Sequence, residues 1–247
     1  VSALALLNME RMRVTNNSGT LKSILFPIHR AGRPFIALFA VCTAALGWAW
    51  APLGFVGIIL TIWCICFFRD PDRVTPQGDG LVVSPADGVV QMIVDSDPPG
   101  ELGMESGAYI RIAVFMNVFD VHVNRAPIDG RIKRLAYTPG KFLNASFDKA
   151  SEDNERQALL IETSAGLEIG CVQIAGLVAR RILCDVIREQ ELKTGERFGM
   201  IRFGSRVDVY VPRGTTILAI EGQRVVAGET VLASLDGKGL VRQGEIR

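Results

Sequence analysis

Hydrophobic and polar positions divide the chain into two regions with different patterns. No charged residue stands between Arg33 and Arg69, and this stretch consists mostly of Ala, Leu, Ile, Phe and other apolar residues. Beyond Arg69, short runs rich in Val and Ile alternate with Gly, Pro and Asp, as in "GLVVSPADGVVQMIV". Such spacing is typical of hairpins rather than of βαβ units. The pattern predicts an apolar N-terminal segment followed by a mainly β, hairpin-rich domain of the barrel or sandwich type with few helices, in which residues 179–187 have the most helical character.

The uncharged stretch is too long for one straight transmembrane helix. At 1.5 Å per residue, a helix over residues 34–68 would be about 50 Å long, whereas a hydrocarbon core is about 30 Å thick. Two helices of about 16 residues that turn at residues 52–54 would each reach about 24 Å. Basic residues flank both outer ends, and the positive-inside rule then places both ends in the cytoplasm. We therefore predict a transmembrane helical hairpin or a re-entrant anchor, with one tilted span as the alternative.

This pattern defines three regions. Residues 1–33 form an N-terminal juxtamembrane segment, residues 34–68 the membrane anchor, and residues 69–247 the β domain. The net charge of the whole chain is +1, which argues against a nucleic-acid partner. The five cysteines and two histidines do not have the spacing of metal ligands, so we expect reduced thiols and no metal site.

Three polar motifs of the β domain are candidates for chemistry. Asp87 in "S-P-A-D-G" and Asp129 in "A-P-I-D-G" both precede a glycine between apolar runs, and either dipeptide is a common hairpin turn. His122 in "F-D-V-H-V-N-R-A-P" is the only histidine of the β domain and thus the only imidazole there for acid or base catalysis near neutral pH. A hydrogen-bonded structural histidine is the alternative interpretation.

Lys149 and Ser205 provide two further candidates. Lys149 lies in "D-K-A", the tip sequence of lipoyl and biotinyl carrier domains, but within a long polar stretch rather than on a tight hairpin. Ser205 follows Gly204 in "R-F-G-S-R-V-D", and a glycine permits strained backbone angles at which the serine Oγ can attack the preceding carbonyl carbon. By itself a Gly-Ser pair is more often a turn. A Ser-His-Asp hydrolase is also open, although G-x-S-x-G is missing.

The order of the motifs changes this interpretation. After the apolar segment come "S-P-A-D-G", "F-D-V-H-V-N-R-A-P", "P-G-K-F-x-N-A", "D-N-E-R" and "F-G-S-R-V-D-V-Y-V-P". This set closely resembles the phosphatidylserine decarboxylases in their shorter bacterial and archaeal form, and the resemblance extends over residues 27–235.

The resemblance implies a proenzyme that cuts itself between Gly204 and Ser205. The products would be a large β chain, residues 1–204, and a small α chain, residues 205–247, which stay together as a heterodimer, with a higher oligomer left open. Ser205 would pass through an ester and dehydroalanine to a pyruvoyl group. His122 would deprotonate Ser205, and Asp87 would orient the imidazole.

The resemblance also implies the reaction. The pyruvoyl group would form a Schiff base with phosphatidylserine and release CO2 and phosphatidylethanolamine, without metal or PLP. A related phosphoserine lipid such as archaetidylserine is the alternative substrate. The enzyme would act on membrane lipid at the cytoplasmic face of the inner membrane.

Several residues are predicted to contact the substrate. Asn144, Lys149 and Arg156 are candidates to hold the phosphate or carboxylate of the head group, and Phe115 and Met116 to form an apolar wall. The chain departs from the longer family members at Arg125, where they carry a second histidine. His122 would therefore serve both self-cleavage and decarboxylation, or Arg125 or water would take one of these roles.

Overall fold

The computed structural model describes residues 26–140, 153–176, 181–202 and 204–237. Two apolar helices, α1 (Arg33–Ala49) and α2 (Ala51–Phe67), are separated by Trp50 in an extended conformation. The predicted turn at residues 52–54 is therefore wrong by a few residues, because Pro52 lies in the first turn of α2. Proline has no N–H to donate and a φ already close to the helical value, so the first turn of a helix accommodates it.

Small residues bring the two helices into close contact. The hydroxyls of Thr43 and Thr61 are 3.0 Å apart, and a Cβ added at Gly54 would lie only 2.6 Å from the Cα of Gly47. These pairings show that the helices run antiparallel, and small-residue contacts of this kind are typical of helices in membranes. Residues 30–49 are long and apolar enough to cross a membrane, and only 6% of this segment is buried within the protein. The length, composition and exposure of this helix indicate that the anchor segment associates with a membrane.

The remainder of the described chain is mainly β, as predicted. Its strands are β1 (Leu81–Val83), β2 (Gly88–Asp95), β3 (Tyr109–Met116), β4 (Val123–Arg125), β5 (Gly130–Thr138), β6 (Arg156–Glu162), β7 (Glu168–Ala175), β8 (Ile182–Cys184), β9 (Glu191–Leu192), β10 (Arg197–Ile201), β11 (Ser205–Pro212), β12 (Thr216–Ile217), β13 (Arg224–Val225) and β14 (Val231–Ser234). The expected helical character of residues 179–187 is wrong at residues 182–184, since β8 pairs with β10.

The strands form one large sheet and two small ones. The large sheet has the order β13-β2-β3-β11-β7-β6-β5-β9, and the small sheets have the orders β4-β10-β8 and β1-β14-β12. All of the strand pairs are antiparallel. One face of the large sheet packs against both small sheets, and the main hydrophobic core lies between them. Strand β11 lies near the centre of the large sheet, between β3 and β7.

The ends of the helices pack against the β domain. Cys64, Phe67 and Phe68 of this region form a buried apolar cluster with Met200 of β10. A backbone bridge joins Ile28 to Arg69, and two ion pairs cross the same boundary: Arg30–Asp185 at 2.6 Å and Asp70–Arg197 at 2.7 Å. These contacts hold the base of the anchor against the sheet that contains β4, β8 and β10.

Candidate active site

Ser205 is the first residue of β11 and is held by strands on both sides. It pairs with Met116 of β3 and with Ala175 of β7, and it is fully buried. Its Oγ has no hydrogen-bond partner among the residues that the structure describes. A buried hydroxyl without a partner costs about 1–3 kcal/mol, and such groups are rare outside functional sites. Ser205 is therefore a candidate nucleophile.

Gly204 precedes Ser205 in a left-handed conformation, with φ of +64°. A Cβ added here would meet only Val118, at 4.0 Å, so there is space for a side chain. What the position requires is the positive φ, which L-residues other than glycine adopt only at a cost. The N–H of Gly204 donates to Nε2 of His122 at 3.3 Å. The structure thus brings Gly204, Ser205 and His122 together.

His122 is held as a neutral base. Its Nδ1 lies 3.0 Å from the carbonyl oxygen of Asp120, and since a carbonyl can only accept, Nδ1 carries the proton. Nε2 is then unprotonated and faces the N–H of Gly204. Complete burial, together with the nearby charge of Arg69, lowers the pKa of His122 to about 4, so the imidazole is neutral at pH 7.

Two neighbours hold the imidazole in this orientation. The ring of Phe67, the last residue of α2, lies with its centre 4.2 Å from that of His122 at an angle of 33°. Asp120, whose carbonyl oxygen accepts from Nδ1, is itself held in place, because its carboxylate pairs with Arg224 of β13 and accepts the N–H of Asn117 at 2.9 Å. Sequence reasoning missed both Phe67 and Arg224, since nothing in the sequence indicates that the anchor reaches His122 or that β13 reaches Asp120.

Asp87 lies just before β2, and its carboxylate is hydrogen-bonded to residues other than His122. Its role in orienting the imidazole stays a prediction. Its carboxylate accepts a hydrogen bond from Arg73 at 2.7 Å and another from the N–H of Ala227 at 2.8 Å, whereas Nδ1 of His122 donates to Asp120. Burial raises the pKa of Asp87. The structure also separates the two Asp-Gly motifs, because Asp129 is exposed and accepts hydrogen bonds from Thr194.

Strand alternation divides the predicted substrate residues between two faces of the large sheet. Met116 pairs directly with Ser205 and shares its face, where both side chains are buried. Phe115 pairs with Arg206 and therefore lies on the opposite face. Arg156 is on that opposite face as well, in an ion pair with Glu101. Asn144 and Lys149 lie outside the described residues.

Two polar residues on the Ser205 side of the large sheet, Gln173 and Asn124, were not predicted. Gln173 of β7 donates from Nε2 to Oδ1 of Asn124 at 2.8 Å, and both are fully buried on the side of the sheet where Ser205 lies.

Arg125 donates to the carbonyl oxygens of Gly195 and Pro71, at 2.8 and 2.9 Å. The guanidinium of Arg125 thus ties β4 to the first residues after the anchor. Within the described ranges, no group of three or more His, Cys, Asp or Glu side chains is arranged to hold a metal ion.

Known proteins resemble this chain over most of its length. The family model described as phosphatidylserine decarboxylase matches residues 60–233. Proteins named phosphatidylserine decarboxylase proenzyme are similar to it in Paramagnetospirillum magneticum (58% identity over 92% of this chain and 94% of the relative), Cereibacter sphaeroides (57%, over 92% and 98%) and Ruegeria pomeroyi (59%, over 86% and 97%). The match includes every residue of the site around Ser205, and the chain therefore belongs to the phosphatidylserine decarboxylase family, a family of lyases.

Proposed function

We propose that this chain is a proenzyme that cuts itself between Gly204 and Ser205 and then decarboxylates phosphatidylserine to phosphatidylethanolamine and CO2. One observation carries the proposal: the Oγ of Ser205, buried and without a hydrogen-bond partner in the described part of the chain, follows a left-handed glycine whose N–H meets the neutral Nε2 of His122. The relatives are named as proenzymes of this decarboxylase, which supports both the cut and the substrate.

In the first step, the Oγ of Ser205 attacks the carbonyl carbon of Gly204. His122 accepts the hydroxyl proton and returns it to the Ser205 nitrogen as the C–N bond breaks, so the amide becomes an ester. Because Nε2 now contacts the N–H of Gly204, one peptide before the bond to be cut, the backbone at Gly204 must rotate for the proton transfer. Glycine permits that rotation more readily than any other residue.

In the second step, the Cα of Ser205 loses its proton and the ester C–O bond breaks. Gly204 leaves as the carboxylate end of the β chain, residues 1–204. Residue 205 is left as dehydroalanine, which tautomerises and is hydrolysed to a pyruvoyl group with release of ammonia. The α chain, residues 205–247, would stay bound as a heterodimer, because β11 remains hydrogen-bonded to β3 and β7.

The surroundings of residue 205 fit a pyruvoyl group. The pyruvoyl ketone supplies a carbonyl that condenses with the substrate amine and accepts the electron pair released with CO2. Met116 and Ala175 hold residue 205 from both neighbouring strands and are themselves fully buried, so they exclude water on these two sides. His122 is the imidazole placed to move a proton near residue 205. Asp87 would support the site through its ion pair with Arg73, at the start of the β domain.

The anchor would bring this site to its lipid substrate. Extracting a two-chain lipid into water costs about 0.8 kcal/mol per exposed CH2 group. Phe67 contacts His122, so the reacting groups lie at the base of the helix pair formed by residues 34–68. Basic residues at both ends of that pair favour a cytoplasmic location for residues 69–247, at the inner membrane.

A mass measurement of the denatured protein tests the proposal. We expect two fragments divided after Gly204, the C-terminal one lacking a free amine, and a single uncut chain in Ser205→Ala. His122→Ala should also stay uncut. An intact chain in membranes with full decarboxylase activity would contradict the proposal, and a mass increment on Lys149 would favour a carrier function instead.

A further inference from the structure

Arg202, three residues before Ser205, is a positively charged side chain that lacks an anionic partner among the residues that the structure describes. Its Nε is buried and has no hydrogen-bond partner among the described residues, and no carboxylate within those ranges pairs with it. Its Cζ lies 5.1 Å from the ring centre of Phe35 in α1. A guanidinium carries five N–H donors and no acceptor, so these donors are available to an incoming anion.

Arg181 adds a second positive charge beside Arg202. The backbone N–H of Arg202 donates to the carbonyl oxygen of Arg181 at 3.4 Å, and Arg181 is exposed. Burial, together with this neighbouring charge, lowers the pKa of Arg202. Two like charges in a partly desolvated position are unfavourable until an anion neutralises them.

Three other arginines at the base of the anchor have acceptors. Arg30 pairs with Asp185, and Arg197 pairs with Asp70 and Asp72. Arg69 donates to the carbonyl oxygens of Cys66 and Phe119, at 2.7 and 2.8 Å. Arg202 differs from these three in that no side-chain hydrogen bond or ion pair joins it to the residues described by the structure.

The position of Arg202 matches that of a lipid head group. It stands three residues before Ser205, so the two Cα atoms are at most about 10 Å apart, a distance that an arginine side chain and a phosphoserine head group together can span. Its contact with Phe35 places it beside the first turn of α1, where the anchor leaves the β domain. The phosphates of a bilayer lie at this same boundary between apolar and aqueous surroundings.

We propose that Arg202, with Arg181 adding positive charge, binds the phosphate diester of phosphatidylserine and so places the serine amine at residue 205. This inference rests on the proposed function. Bulk anionic lipid carries the same phosphate diester, so the test must distinguish a substrate contact from a general membrane contact. We assign the phosphate that Arg202 binds to the substrate.

The first experiment compares Arg202→Gln with Arg213→Gln. Arg213 is exposed and paired with Asp95, about 26 Å along β11 from Ser205, so its replacement removes the same charge away from the site. With short-chain phosphatidylserine in neutral detergent micelles, we expect Arg202→Gln to raise KM about 10-fold or more with little change in kcat. Arg213→Gln should leave both constants unchanged. Arg202→Lys should restore part of the affinity, since it keeps the charge but loses the two-point contact.

The second experiment measures binding to lipid vesicles. If Arg202→Gln weakens binding to phosphatidylglycerol vesicles but leaves KM in micelles unchanged, Arg202 contacts bulk lipid and the proposal is overturned. The denatured masses of each variant are measured first, so that a defect in self-cleavage is not mistaken for one in binding. An intact wild-type chain in active membranes would count against the proposed function rather than against Arg202.

A third measurement uses the wild-type enzyme, in case Arg202→Gln fails to cut or fold. Phenylglyoxal modifies arginines, and peptide masses report the rate at each one. Glycerophosphoethanolamine, the head group of the product, should slow the modification of Arg202 and leave that of Arg213 unchanged. Equal rates at Arg202 with and without this compound, at concentrations that inhibit the enzyme, would refute the proposal.

Discussion

Replacing Phe67 with alanine should change the pH dependence of self-cleavage, because this ring covers His122. Phe67 is 1% exposed, and its ring centre lies 4.2 Å from that of the imidazole. The substitution removes the aromatic ring from a packed position, at a cost of about 3–5 kcal/mol in the free energy of unfolding. It also opens a space through which water can approach His122.

The size of the effect follows from the pKa of His122. Burial lowers this pKa from 6.5 to about 4, a change of about 2.5 units, or about 3 kcal/mol. Since other residues still surround the imidazole in Phe67→Ala, we expect about 1 unit of this shift to be reversed. Cleavage needs neutral His122, so the wild-type rate should fall only as the pH drops through about 4. The Phe67→Ala rate should fall about 1 unit higher, as the pH drops through about 5.

The assay follows the uncut chain directly. The proenzyme is synthesised in a cell-free system with neutral detergent micelles, shifted to buffers between pH 3.5 and 8, and sampled on denaturing gels. Phe67→Leu is the control, because it keeps an apolar cover and should retain a midpoint near that of the wild type. Melting temperatures in the uncut Ser205→Ala background identify the pH range in which each variant is folded. Equal midpoints in wild type and Phe67→Ala would refute the reasoning.

Two further predictions concern β11 and the turn that precedes it. Gly204→Ala should slow cleavage about fivefold or more, because alanine disfavours by about 1–2 kcal/mol the left-handed conformation that brings residue 204 to His122. Gel densitometry over time measures the rate. Gly100→Ala, at an open position without a positive φ, is the control and should cut normally. Arg206 and Asp208 form a buried ion pair, 2.8 Å apart. Replacing only one partner, as in Asp208→Asn, should lower the free energy of unfolding by about 3–5 kcal/mol. Thermal melting should show a smaller loss of stability in the double variant Arg206→Met/Asp208→Leu, because neither charge is then left buried alone. If the double variant loses as much stability as the two single variants together, the two side chains are not coupled and the prediction is wrong.

Several features of the site could be predicted because they depend on local chemistry. A glycine before Ser205 predicts a backbone conformation that other residues rarely adopt, and Gly204 indeed has a φ of +64°. The absence of charge between Arg33 and Arg69 predicts the two apolar helices. Hairpin-like runs predict the β domain, and His122 was the one imidazole available there. None of these inferences requires knowledge of distant contacts.

Other features depend on which strands pair. Alternation along β3 requires Phe115 and Met116 to point to opposite faces, but only the pairing of β3 with β11 decides that Met116 is the one beside Ser205. The partners of Asp87 and His122 come from segments far away in the sequence: Ala227 for Asp87, and Phe67 and Gly204 for His122.

The sequence by itself therefore determined the apolar anchor, the β character of the rest, and the residue types able to carry the chemistry, because composition, period and backbone freedom are local properties. Tertiary structure alone decided that the anchor covers the imidazole, that Asp120 rather than Asp87 meets its Nδ1, and that Arg202 lies at the base of the anchor without an anionic partner in the described ranges. The physical reason is that burial, strand register and the pairing of charges depend on residues that are brought together only when the whole chain folds.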